Sequence, residues 1–250
     1  MKETENKQEW IYGLRPLMEA IHAGKEVEKV LIQKGLTGTN FRELMTLLKA
    51  HKIPYQMVPI EKLNRVTRKN HQGIIAFLSP VSFYQIEQIL PTLYEEGKEP
   101  FILVLDRVTD VRNFGAILRS AHSAGVDAVL IPDKGAASLN SGTVKSSAGA
   151  IYKIPICREH NLKNALSYLK NSGLRLAAVT EKAEKLHFEE NLTGPLALMM
   201  GSEGEGISAE YLKMADLKVK IPMLGEIESL NVSVAAAILM YEVVRQRHGG

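Results

Sequence analysis

Apolar positions along this chain recur in two periods, and the period changes from one segment to the next. Ile11, Leu14, Leu17, Met18 and Ile21 repeat at three and four, which predicts a helix over 10–23 whose regular part starts near Arg15, with Pro16 in its first turn. Val27–Gln33 alternates and is β-branched, so it reads as a strand. A helix over 40–51 follows, with Asn40 as its cap and Phe41, Leu44, Leu47 and Leu48 facing inward. Strand 54–58, short helix 60–66 and strand 73–77 complete a small alternating α/β domain over residues 10–79, after a frayed polar tail at 1–9. Pro80, Pro91, Gly97 and Pro100 mark 80–98 as a linker.

A second domain, 99–250, opens with Phe101–Leu105, an apolar run ending at Asp106 that reads as a strand buried on both faces. The helix over 114–124 carries Phe114, Ile117, Leu118 and Ala121 on one stripe, with Arg119 well off it. Strand 128–131, a small-residue helix over 138–150, strand 151–156 and a helix over 161–171 capped by Asn161 come next. Strands at 175–180, 196–200 and 217–221, a short helix between the last two, and a long final helix follow. That last helix is opened by Ser229 and Asn231 and carries Leu230, Val234, Ile238 and Tyr241 at helical spacing. Strands alternating with helices predict a mainly parallel sheet covered on both faces.

Composition sharpens this only in places. The 250 residues are 45% hydrophobic and 24% charged, an ordinary globular balance, and the net charge of +3 is compatible with a polyanionic partner without requiring one. A single cysteine, Cys157 in an apolar run, rules out a disulfide framework or a thiolate metal cluster and reads as a small buried hydrophobe. No metal is expected. No apolar run reaches the roughly 20 residues that span a bilayer, and residues 1–9 lack the apolar core of a signal peptide, so the protein is expected to be cytoplasmic with no membrane partner.

Three polar loops share a strand–loop–helix form. Asn113 with Arg119, Gly201–Gly206, and Ser229 with Asn231 all fall just past predicted strand ends, where parallel sheets bind ligands. Taken alone, Ser229 or Asn231 is also a plain helix cap, and Arg119 and Glu203 are also plain surface charges. In the first domain, Arg65, Arg68, Lys69 and His71 sit in one loop before a buried strand; such a cluster can hold phosphates or can simply be solvated. The run Gly204-Glu205-Gly206-Ile207-Ser208-Ala209 matches a dinucleotide fingerprint, but Glu203 and Glu205 would set carboxylates beside a pyrophosphate and the helix after it is short.

Together the loops resemble a family. Asn113-Phe114-Gly115-Ala116-Ile117-Leu118-Arg119, Met200-Gly201-Ser202-Glu203-Gly204-Glu205-Gly206, and Ile221-Pro222-Met223 with Ser229-Leu230-Asn231-Val232-Ser233-Val234-Ala235 are similar, in order and separation, to the motifs of the SpoU/TrmH-type RNA 2′-O-ribose methyltransferases of the SPOUT class. The first domain, with His71-Gln72-Gly73, resembles the ribosomal-protein-like RNA-binding domain of the bacterial 23S rRNA guanosine-2′-O-methyltransferase branch. The resemblance implies an α/β catalytic domain with a parallel sheet and a deep carboxy-terminal trefoil knot. It implies S-adenosyl-L-methionine as cofactor, held through Gly201, Ile221, Met223 and Leu230. It implies Asn113, Arg119, Glu203, Ser229 and Asn231 as catalytic residues, and Arg65, Arg68, Lys69, His71 and Gln72 as RNA contacts. A homodimer is implied, with the site completed across the subunit interface. The substrate implied is a guanosine of 23S rRNA; a tRNA enzyme of the same fold and a non-catalytic RNA-binding or assembly protein are the alternatives.

Overall fold

In a computed structural model of the protein the described residues are 9–226 and 229–249, so the expected tail, apart from Glu9, lies outside them. The chain divides into two compact units, one running to Ser82 and taking in Leu139–Ser141, the other covering Phe83–Ser138 and Gly142 onward.

The first unit holds β1 (Trp10–Tyr12), α1 (Leu14–His22), β2 (Val27–Gln33), α2 (Thr39–Ala50), β3 (Tyr55–Val58), α3 (Ile60–Val66) and β4 (Ile74–Leu78). Its sheet runs β1-β4-β2-β3, with β4 antiparallel to both neighbours and β2 parallel to β3. Residues 10–12, expected to begin a helix, are instead a strand registering Trp10 on Phe77 and Tyr12 on Ile75. Gly13, at φ +92°, turns the chain so that α1 begins only at Leu14, with Pro16 in its first turn as expected. Leu17, Ile21, Leu44 and Leu48 bury against Val30, Ile32, Ile74 and Ala76. Asn40 is not the cap of α2: Gly38 holds that position.

In the second unit, β5 (Phe83–Tyr84) and α4 (Ile86–Glu95) occupy what was expected to be linker. Ile86, Leu90 and Leu93 are buried in the core, and an apolar stripe of that size cannot be left in water. There follow β6 (Phe101–Leu105), α5 (Val111–Ser123), β7 (Ala128–Pro132), α6 (Ser141–Ser146), β8 (Ile156–Glu159), α7 (Leu162–Asn171), β9 (Arg175–Val179), β10 (Lys185–Leu186), β11 (Leu196–Met200), α8 (Ala209–Met214), β12 (Leu217–Lys220) and α9 (Val232–Arg247). The sheet order is β10-β12-β9-β11-β6-β7-β8-β5, and every pairing is parallel. β6 and β11 lie at its centre and are buried at every residue, as the continuous apolar runs required. Ile102, Val104 and Met199 meet Leu90, Leu162 and Leu166 on one face. Phe101, Leu103 and Leu105 alternate to the other face, and α5 and α9 pack against each other.

Two expectations fail between β7 and β8. The helix over 138–150 shrinks to α6 and a 3-10 turn at Ala150–Tyr152, because Thr143 and Ser146 hydroxyls bond back to the Ser138 and Gly142 carbonyls at 2.6 and 2.9 Å. The strand expected at 151–156 starts only at Ile156; Ile151 is spent in that turn, which packs on α5. Cys157 is fully buried, and burial pushes its thiol up to about 12. No helix among the described residues is long and apolar enough to cross a membrane.

Candidate active site

The site forms past the carboxyl ends of β6, β11 and β12. Met200 leads from β11 into a hairpin closed by paired hydrogen bonds between Ser202 and Gly206, at 3.2 and 3.0 Å. A Cβ at Gly201 would lie 2.0 Å from the Gly206 carbonyl carbon, so only glycine lets the hairpin fold back this tightly. The hairpin is tied to the end of β6. Asp106 Oδ2 accepts from Ser208 N at 2.7 Å and Ser208 Oγ at 2.6 Å. Arg107, in the left-handed region at φ +59°, donates to Asp106 Oδ1 at 3.1 Å and to the Gly206 carbonyl at 3.3 Å, and pairs with Glu205. A non-glycine residue held there costs on the order of 1 kcal/mol or more, which its three anchors offset.

Asp110 caps α5, its Oδ1 accepting from Arg112 N at 2.9 Å and Asn113 N at 2.8 Å, so Asn113 is fixed in the first helical turn. Gly115 on the same helix allows close packing: a Cβ there would meet Ser146 Oγ at 1.8 Å. Asn231 caps α9, its Oδ1 accepting from Ser233 N at 2.9 Å and Ser233 Oγ at 2.6 Å. Those two donors fix the orientation of the amide. Its Nδ2 therefore donates to Asn113 Oδ1 and Glu203 Oε1, both at 3.0 Å. With Asn113 Oδ1 taken, Asn113 Nδ2 donates to the same Glu203 oxygen at 2.7 Å. Cap and site residue, the two readings of Asn231 open in the sequence, are one side chain using its two ends.

Beside this triangle lies a cavity of about 440 Å³, within the range that holds small ligands. Gly201, Ile221, Met223 and Leu230 all line it, as does Glu203, which thus belongs to both features. Ser229 lines the cavity as well but does not join the triangle, and no hydrogen bond to a described residue holds its side chain. The mixture of apolar walls (Ile221, Met223, Leu230) and backbone-rich hairpin suits a flat heterocycle with polar edges. Arg119 is exposed on α5 outside both features, and no described side chain pairs with its guanidinium. It follows Asn113 by six residues, which sets the two about 120° apart around the helix, on different faces.

In the first unit Arg65, Arg68, Lys69 and Gln72 are exposed, with Lys69 Nζ 5.9 Å from the Tyr12 ring centroid. His71 departs from the expected RNA contact. It is 6% exposed, Nδ1 accepts from Gly73 N at 3.0 Å, and Nε2 therefore carries the proton it donates to Asn64 Oδ1 at 2.9 Å. It staples the loop from inside rather than offering itself to a ligand. Thr180, Glu181 and Lys182, which also line the cavity, escaped the sequence reading although they directly follow β9, where the strand-end rule applies equally. The Asp106–Arg107–Ser208 tie had no sequence signal beyond its place after β6. Among the described residues no group of His, Cys, Asp or Glu is arranged to hold a metal ion.

A parallel α/β sheet with a hairpin-walled cavity and an Asn–Glu–Asn constellation past its strand ends defines an α/β enzyme of small-ligand-dependent type. The chain belongs to the SpoU rRNA methylase family, whose model matches residues 100–241, while residues 10–84 match the model of RNA 2′-O ribose methyltransferase substrate-binding domains. It is 34% identical over 238 residues to a Staphylococcus epidermidis protein assigned to the TrmH family of tRNA/rRNA methyltransferases, covering 95% of this chain and 96% of that one. Among solved structures it is similar to the SpoU methyltransferase AviRb of Streptomyces viridochromogenes in complex with AdoMet (26% identity, TM-score 0.61, 96% of this chain and 91% of that one). It is also similar to an RNA 2′-O ribose methyltransferase (30% identity, TM-score 0.56, 96% and 89%).

Proposed function

We propose that this protein transfers a methyl group from S-adenosyl-L-methionine to the ribose 2′-hydroxyl of a guanosine in 23S rRNA, working in the cytoplasm as a homodimer. The observation that carries the reading is the Asn113–Glu203–Asn231 triangle built against the wall of the cavity. The AviRb neighbour holds AdoMet, and the family's name points to rRNA. The cavity fits that cofactor: its volume is adequate, and Ile221, Met223 and Leu230 would hold the adenine while Gly201 and its hairpin offer backbone groups. When bound, the cofactor supplies an electrophilic methyl group on a sulfonium.

The chain's own residues then have to align a weak nucleophile and take its proton. Glu203 Oε1 is occupied by two amide donors, which fixes the carboxylate; Oε2 has no partner among the described residues and is available to the hydroxyl. Arg119 belongs to this reading through a second copy, since it stands about 120° from Asn113 on its own helix; there it would meet the reacting hydroxyl or an adjacent phosphate and stabilise the charge that develops. Dimerisation is supported by the outer face of α9, where Val234 and Tyr241 are 47% and 51% exposed at i and i+7. The carboxy-terminal knot is part of the same reading, closed by α9 at the end of the chain. Residues 10–79 are assigned to RNA capture, with Arg65, Arg68, Lys69 and Gln72 contacting it, and residues from 99 onward to methyl transfer.

The test is transfer of labelled methyl from S-adenosyl-L-methionine to unmodified 23S rRNA, with unmodified tRNA in parallel. The modified position is mapped by resistance of its 3′ phosphodiester to alkali, which needs a free 2′-hydroxyl. Label at one alkali-resistant guanosine of rRNA is expected. Label on tRNA alone would overturn the substrate, and no label on either RNA would overturn the reaction.

A further inference from the structure

The first unit contains a cavity that nothing above uses. Its volume is about 850 Å³, toward the upper end of the roughly 300–1,000 Å³ that ligand cavities span. The starts of α1 and α2 and the loop before β4 form its walls. None of its lining residues is acidic. Two aromatic side chains, Tyr12 and Phe41, and four long polar ones, Arg15, Asn40, Asn70 and Gln72, line it. Asn40 is the residue whose sequence position predicted a helix cap; with Gly38 in that role, its amide is left over. No hydrogen bond to a described residue engages the side chains of Arg15, Asn40, Asn70 or Gln72, although all four are within reach of one cavity. Phe41, by contrast, is half-buried and packed against the unit's core, so it is a fixed wall.

Three amides, an aromatic wall, an arginine and no carboxylate are the chemistry that reads a nucleobase edge next to a phosphate. Sequence-dependent RNA recognition works this way on unpaired nucleotides, whose bases stack on aromatic rings and hydrogen-bond along their edges. We propose that this cavity receives one unpaired nucleotide of the substrate RNA, its base edge read by Asn40, Asn70 and Gln72 and its phosphate met by Arg15. The inference deepens the RNA-methyltransferase reading and rests on it for the partner class. It moves recognition from the charged loop 65–69, which supplies affinity without sequence, to an amide-lined pocket with a single cation that supplies choice.

The experiment uses the full chain and an unmodified 23S rRNA transcript as probe. Asn40→Ala/Asn70→Ala removes two exposed amides that hold nothing in the fold, so its circular dichroism and S-adenosyl-L-methionine affinity should match wild type. Its transcript affinity should fall by about tenfold or more. Because no charge is lost, the dependence of affinity on salt should keep its slope. In base-edge chemical footprinting, a nucleotide protected by wild type should become reactive. Arg15→Ala should weaken binding more than Lys49→Ala, an exposed cation on α2 outside the cavity. Transcript affinity within twofold of wild type in the folded amide variant, or equal losses from Arg15→Ala and Lys49→Ala, would overturn the proposal. Failure of the methylation reading looks different: wild type would bind the transcript with this footprint yet transfer no label.

Discussion

Asn231→Ser separates the two jobs of one side chain. Serine caps a helix about as well as asparagine, so the bond to the Ser233 backbone is replaceable. It is too short to reach Asn113 and Glu203, and both 3.0 Å bonds from Nδ2 disappear. Each such bond, exposed to solvent, is worth about 1 kcal/mol, so stability should fall by at most about 2 kcal/mol. In a unit of this size that is roughly 4–8 °C in Tm. Activity should fall much further. Glu203 Oε1 keeps only the Asn113 donor, Asn113 Oδ1 loses its donor and the amide is free to rotate, and Glu203 is then held at one point instead of two. A misplacement of about 1 Å at a reacting group costs on the order of 100-fold. The assay is single-turnover transfer of labelled methyl at saturating cofactor, read beside cofactor affinity by equilibrium dialysis and Tm by calorimetry. The expected pattern is a rate loss of about 100-fold with cofactor affinity nearly intact. Asn231→Ala should lose the same rate and about 1 kcal/mol more stability, because the cap goes too. Single-turnover rate within threefold of wild type in folded Asn231→Ser would refute the argument that the triangle positions Glu203.

Other outcomes follow from particular contacts. Gly201→Ala puts a methyl 2.0 Å from the Gly206 carbonyl carbon, so the hairpin must open; cofactor affinity should drop at least tenfold by dialysis, with a stability loss of about 1–3 kcal/mol. His71→Ala strands the buried Gly73 N–H and should destabilise the first unit by about 1–3 kcal/mol in urea unfolding, and an unchanged midpoint would return His71 to the RNA-contact class. Glu242 accepts from Arg245 Nε and Nη2 at 3.0 and 2.8 Å and from Gln246 at 2.7 Å, and the Arg245 bonds first, helped by Gln246 and His187, hold its carboxyl below the usual glutamate range. Its stabilisation is therefore complete above the unfolded glutamate value of about 4.3 and is lost as pH falls through the lower folded value. Glu242→Gln should flatten the acid limb of Tm against pH between about 5 and 3, and an unaltered limb would refute the assignment.

The sequence was most legible where one physical signal dominated. β2, β6 and β11 appear within a residue of their expected bounds, because a continuous or alternating apolar run has only one comfortable burial. It was least legible where two signals competed. Trp10–Tyr12 carries a helical period and β-prone side chains together; the open edge of β4 and the turn at Gly13 decide for the strand, and neither is local information. Residues 80–98 look like linker through Pro80, Pro91 and Gly97, yet Pro91 lies inside α4, whose buried stripe outweighs the lost backbone bond.

The site divides along the same line. Which residues stand past strand ends could be read from periodicity, and that rule gathered Asn113, Glu203 and Asn231. What they do to one another could not, because it depends on which amide end is already taken. Ser233 N–H and Oγ occupy Asn231 Oδ1; that turns Nδ2 toward Asn113, which turns Asn113 Nδ2 toward Glu203. Each orientation follows from the one before, so the geometry at the carboxylate is set by a helix cap that reaches it both directly and through Asn113. Arg119 shows the converse. Its phase off the apolar stripe was plain in the sequence, and the same phase takes it off Asn113 by about 120°, so the motif that unites them in sequence sets them on different faces in one copy of the fold. A motif whose two named residues stand on different faces of one helix is itself an argument for a second chain, and dimer-disrupting Tyr241→Asp on the exposed face of α9 should abolish methyl transfer while leaving cofactor binding intact, whereas an active monomer in sedimentation would refute it.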